Sequence, residues 1–162
     1  MAIPVHKEYN FLQAAGFFYS PFAQLVGGMA EYIIGQFYDG NIFSIGMGPR
    51  VKVSSHFELE GYYGYNHARF PKRDQQLTTH LARLKILYIM DTKFSIAAFL
   101  QYNSLEKIYT GNIRLRYNPK EGKDLYVVYN DQLNGNRKRE VPHLPFSSAR
   151  TVVVKYMYTF GW

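Results

Sequence analysis

Four side chains have the types from which a hydrolytic site is built: His67, His80, Asp74 and Ser104. A histidine that takes a serine proton while a carboxylate steers its ring makes the serine a nucleophile. Both histidines fall among apolar neighbours in the local alternation, where a rim histidine is more often an interfacial polar residue than a base. No glycine-rich phosphate loop, zinc-type histidine spacing or Gly-x-Ser-x-Gly elbow is present. Gly46-Met47-Gly48 lacks a third glycine and a following helix, and reads as strand packing. The absence of cysteine excludes disulfides, thiolate zinc sites and cysteine nucleophiles. The expectation is no catalytic residue, no metal and no cofactor.

A second set concerns charge. Arg50, Lys52, Glu58, Glu60, Arg83, Lys85, Arg114, Arg116 and Lys155 occupy positions that alternate with apolar residues, giving seven cations against two carboxylates on one face. Like charges in a narrow interior are costly unless water or anions compensate them. The set therefore reads in two ways, as the lining of an anion-favouring aqueous path or as a plug of cross-strand salt bridges. The net charge of +7 is scattered, with Arg137, Lys138 and Arg139 the one tight run. That run is expected to be a solvated loop or a contact for anionic lipopolysaccharide or a glycan, and no nucleic-acid partner is expected.

The elements that must carry these residues are strands. Val152, Val154, Tyr156, Tyr158, Phe160 and Trp162 alternate with Thr151, Val153, Lys155, Met157, Thr159 and Gly161, and similar alternation recurs through the chain. Strands are expected near 10–19, 23–38, 42–53, 57–69, 77–90, 94–105, 108–118, 124–131 and 149–162. A three-residue turn at Ser54–His56 would set Lys52 opposite Glu58 and Arg50 opposite Glu60, so opposite charges meet. A turn at Asp91–Lys93 would set Met90 opposite Phe94 and Arg83 opposite Gln101. Short links alternate with the longer stretches Pro71–Gln76 and Asp131–Ser148.

This pattern suits an antiparallel up-and-down barrel of about 8–10 strands. Apolar runs are far shorter than the roughly 20 residues of a bilayer-spanning helix, and mean hydropathy is −0.27. With 15 Tyr and 12 Phe, the large apolar groups overfill the interior of a small barrel, which barely holds its side chains at about eight strands. Turned outward they make a lipid-facing band, with Tyr32, Tyr38, Tyr62, Tyr63, Tyr65, Tyr88, Tyr102, Tyr109, Tyr117 and Tyr129 as interfacial girdles. Replacing Ile113 by Arg would be unfavourable whether the apolar face met lipid or the inside of a soluble barrel.

The last residues, Val154, Tyr156, Tyr158, Phe160 and Trp162, resemble the terminal targeting signal of outer-membrane barrels. Loss of Phe160–Trp162 is accordingly expected to stall membrane assembly. The segments 99–104, 113–130 and 154–158 are similar to the C-terminal barrel of a functionally uncharacterised bacterial family whose members carry an N-terminal family-nine-type carbohydrate-binding domain. The resemblance spans residues 40–162 and, by pattern, the earlier part. It implies a Gram-negative outer-membrane location, contact with outer-membrane lipid and with the barrel-assembly machinery, and no transferable catalytic residue. The family's binding domain has no counterpart here, so its link to surface carbohydrate does not pass to these residues. Met1–Asn10, interrupted by Pro4, His6, Lys7 and Glu8, does not read as a secretory signal.

Nine strands are odd, whereas single-chain bacterial barrels have even numbers. Either residues 2–8 add a tenth strand, or residues 1–162 form a single domain that is the C-terminal part of a longer barrel. The expected role is non-enzymatic: a membrane anchor or scaffold, or a polar pore wall. A soluble β-barrel holding a small apolar ligand is the alternative. A third reading follows small outer-membrane barrels that modify lipids with rim His, Ser and acidic residues, and assigns that role to His67, His80, Asp74 and Ser104.

Overall fold

The computed structural model describes residues 11–21 and 25–160. They form one antiparallel sheet of nine strands, ordered in space as in sequence. The strands are β1 (Gln13–Tyr19), β2 (Val26–Phe37), β3 (Gly40–Lys52), β4 (Phe57–Phe70), β5 (Gln75–Ile89), β6 (Phe94–Asn103), β7 (Ile108–Lys120), β8 (Lys123–Asn134) and β9 (Ser147–Tyr158). Alternating β-branched and aromatic residues favour this pleated state, and up-and-down neighbours pair through short links. All nine expected strands are present. The expectation of a tenth strand at residues 2–8 lies outside the described residues.

The turns explain the registers. At the β3–β4 corner the Ser54 amide bonds the Phe57 carbonyl, and Lys52 pairs with Glu58, Arg50 with Glu60. At the β5–β6 corner Asp91 Oδ1 accepts the amides of Lys93 and Phe94 at 2.8 and 2.6 Å. This is an Asx turn, and it sets Arg83 opposite Gln101.

Two boundaries differ from the sequence expectation. The polar stretch 118–124 was expected to be a loop, but β7 runs on to Lys120 and β8 starts at Lys123. Gly122, at φ 75°, supplies the left-handed residue of the tight turn, and a bulge between Tyr117 and Lys120 absorbs the offset. β8 also continues past Asp131 to Asn134. Its polar groups are satisfied there, since Asp131 meets Arg150 and Asn134 donates to the Pro145 carbonyl.

Closure is the larger difference. β1 pairs with β2 and β9 with β8, and the sheet of described residues is open. Its edge strands are exposed on both faces: Phe17 and Phe18 project on opposite sides of β1, as do Val153 and Val154 on β9.

The most enclosed part lies at the end that carries the β4–β5 turn. Phe70 is 2% exposed and packs 6.3 Å from the Phe37 ring. A short 3-10 turn follows at Pro71–Arg73. Arg73 Nε and Nη2 donate to Asp39 Oδ2 and Oδ1 at 2.7 and 2.8 Å, tying this turn to the β2–β3 corner.

Partial desolvation alone would raise the Asp39 carboxyl. The Arg73 bond, its own backbone amide and the charges of Arg73 and Lys72 outweigh that, and hold it below its ordinary value of 3.8. A depressed folded value means the clamp contributes fully above 3.8 and fades as pH falls through the folded value. Acid titration followed by β-sheet circular dichroism should show lost stability beginning below 3.8. Asp39→Asn should lower stability at neutral pH and remove that acid-dependent component. An unchanged acid profile in Asp39→Asn would exclude the clamp.

Candidate functional site

Directly paired residues share a face, so the registers sort the sheet into two surfaces. All nine charged residues of the sequence set lie on one of them: Arg50 and Lys52 on β3, Glu58 and Glu60 on β4, Arg83 and Lys85 on β5, Arg114 and Arg116 on β7, and Lys155 on β9. The opposite face presents Phe43, Met47, Tyr63, Leu84, Leu100, Ile113, Val152 and Tyr156, each more than a third exposed.

The polar face is a network. Arg50 Nε and Nη2 donate to Glu58 Oε1 and Oε2 at 3.0 and 2.7 Å, a bidentate contact to the diagonal neighbour rather than to Glu60 directly opposite. Sheet twist brings such diagonal pairs together. Glu60 takes Lys85 instead, at 3.0 Å. Arg116 Nε meets Asp124 Oδ1 at 2.9 Å. Arg83 bonds Gln101 Oε1 at 3.0 Å and lies over the Tyr62 ring at 5.2 Å, while the Tyr62 hydroxyl donates to Glu31 Oε1 at 3.0 Å. This links β2, β4, β5 and β6 across the intervening β3. Gly46 makes the crossing possible, because a Cβ there would sit 2.8 Å from both Glu31 Oε1 and the Tyr62 hydroxyl. Asn112 donates to Asn130 further along the same face.

Two carboxylates of this network escaped the sequence reading. Glu31 lies in the glycine-rich strand β2, where Gly27, Gly28 and Gly35 blur the alternation, and Asp124 sits where a loop was expected. The face therefore carries seven cations and four carboxylates among the described residues. Lys52, Arg114 and Lys155 form no ion pair among the described residues. Tyr62, expected in an outer girdle, belongs to this face instead, since its partner Arg83 does.

The four candidate hydrolytic residues are held separately. His67 Nδ1 meets Thr78 Oγ1 at 2.8 Å, and His80 Nδ1 meets the Tyr63 hydroxyl at 2.7 Å. Ser104 Oγ accepts the His80 backbone amide at 2.7 Å rather than facing its ring. Asp74 is the left-handed residue (φ 49°) closing the Pro71–Arg73 turn. No nucleophile–base contact forms among them.

Of the terminal aromatic set, Val154, Tyr156 and Tyr158 share the apolar face of β9, and Phe160 stacks edge-on to Tyr158 at 4.5 Å. Trp162 lies outside the described residues. The long β8–β9 connection holds Arg137–Arg139 as a 3-10 turn.

A polar centre on the apolar face, which the sequence reading left in a loop, surrounds Asp131. Asp131, 9% exposed, accepts from the Tyr129 hydroxyl, Ser147 Oγ and the Arg150 guanidinium. Its charge is fully engaged, which is how a carboxylate persists on such a surface.

No protein-family model, curated protein or solved structure matches the chain. The class supported by the geometry is an all-β, up-and-down antiparallel sheet with one charged and one apolar face.

Proposed function

We propose that the sheet is a section of the wall of a transmembrane β-barrel in a bacterial outer membrane, with its apolar face against lipid and its charged face toward a polar interior. One observation carries the reading. The pairing registers place the whole charged set on one face and a continuous band of exposed large apolar side chains on the other, the alternation of barrel strands in lipid. In water such a band would be an unusually large apolar patch. The surplus of cations favours an anion-selective path over a neutral plug.

Refolding the chain in plain buffer and in detergent micelles tests the proposal. Folding in micelles alone is the expected result; a heat-dependent shift in gel mobility would mark a chain that closes by itself, and its absence a section that needs further strands to close. Native β-sheet in plain buffer would overturn the membrane reading in favour of a soluble sheet.

Arg116→Leu probes the charged face separately. It removes the Asp124 partner and a cation 6.0 Å from the Tyr126 ring. Insertion should persist, while the reversal potential across a planar bilayer should shift toward cation preference. Unimpaired or improved insertion with unchanged selectivity would place Arg116 against lipid.

A further inference from the structure

The apolar face is hollowed between β5 and β8 into a groove of about 530 Å³. Leu84, Leu100 and Ile113 line it, with Tyr102 and Tyr109 stacked at 4.6 Å along one wall. Gly111 forms part of its floor. Glycine in mid-strand weakens a sheet unless conformation or crowding requires it. Neither does here: Gly111 has no positive φ, and an added Cβ would meet only Leu100 Cδ2, at an ordinary 3.6 Å. What the missing side chain provides is depth.

The groove does not end in apolar surface. Tyr109 and Leu133 also line a second depression of about 650 Å³, which continues beneath the β8–β9 connection to Arg137 and Lys138. The Arg137 side chain is oriented there by its Nε bond to the Leu144 carbonyl at 3.0 Å. The one carboxylate in either depression is Asp131, already engaged by Arg150, Tyr129 and Ser147. An apolar trough thus opens into a cationic end, the complement of an amphiphile with an anionic head.

We propose that this groove holds a membrane phospholipid of net anionic head, an acyl chain lying over Gly111 and the uncompensated phosphate meeting Arg137 and Lys138. The proposal rests on the reading that the apolar face meets the bilayer. Arg137 and Lys138 supply charge and hydrogen bonds to phosphate oxygens, and Tyr102 and Tyr109 supply the interfacial belt.

The test is lipid retention by native mass spectrometry. The chain is refolded into phosphatidylcholine nanodiscs containing a minor share of phosphatidylglycerol, and circular dichroism of the same samples reports insertion. Wild type should retain phosphatidylglycerol about tenfold over phosphatidylcholine, a difference of roughly 1.4 kcal/mol. Gly111→Phe, which fills the trough, should abolish retention of both lipids. The Arg137→Gln, Lys138→Gln pair, on an exposed loop, should leave chain binding intact and erase the preference. Insertion without preference, or a preference untouched by the loop pair, overturns the lipid site and leaves the wall reading standing. Failure of wild type to insert overturns both.

Discussion

Replacing Ile113 with arginine is expected to remove about 2–4 kcal/mol of stability from the chain inserted in a bilayer. Ile113 lies near the middle of β7 on the apolar face, 44% exposed between Ala98 on β6 and Tyr129 on β8. An arginine there has no water to reach without bending toward the interface. On a surface bathed in water the same change should stay within about 0.5 kcal/mol, because an exposed isoleucine contributes little. Equilibrium urea unfolding of the bilayer-inserted chain, with Ile113→Leu as the matched control, separates the two. A near-neutral Ile113→Arg would show that this face does not meet lipid. Alternation alone could not make the experiment diagnostic, since a closed soluble barrel would bury Ile113. Its exposure in an open sheet makes it so.

Other parts of the fold were legible because their information is local. The Lys52–Glu58 and Arg83–Gln101 registers follow from turns whose hydrogen-bonding residues, Ser54 and Asp91, lie within a few positions of the strands they join. The strand ends at Lys120 and Asn134 were not legible, because long-range partners satisfy polar residues that locally favour loops. Glu31 was hidden for a related reason. Its role depends on Tyr62 reaching across Gly46, a contact between strands that no local pattern encodes. The separation of Ser104 from the His80 ring is likewise a matter of side-chain direction.

Strand parity constrains closure. In an up-and-down sheet β1 and β9 run in the same direction, so their direct pairing would be parallel. An all-antiparallel barrel therefore needs an odd number of further strands between them. Both edges are suited to accept neighbours, being long or aromatic and free of proline.

Phe70→Ala should be the most destabilising single truncation in the described sheet, costing about 3–5 kcal/mol. Most large side chains here keep substantial exposure, whereas Phe70 is 2% exposed. Its ring packs 6.3 Å from Phe37, lies beneath the Arg73 guanidinium at 5.6 Å and occupies space left by Gly40, where a Cβ would come within 2.8 Å of it. One side chain thus joins the β2–β3 corner to the β4–β5 turn, the two elements that Asp39 and Arg73 also tie together. Removing it leaves a void that an open sheet end can partly collapse into, yet unseats the cation as well. Lys72 and Arg73 in the loosened turn should then become accessible to trypsin, with cleavage at least tenfold faster than in wild type, as a local opening made about 1.4 kcal/mol easier requires. Phe70→Leu, which retains most of the volume, should protect the turn nearly as wild type does. Equal cleavage of Phe70→Ala and wild type would show that the corner is held by the Asp39–Arg73 pair alone, and the expected order of the two contacts would have to be reversed.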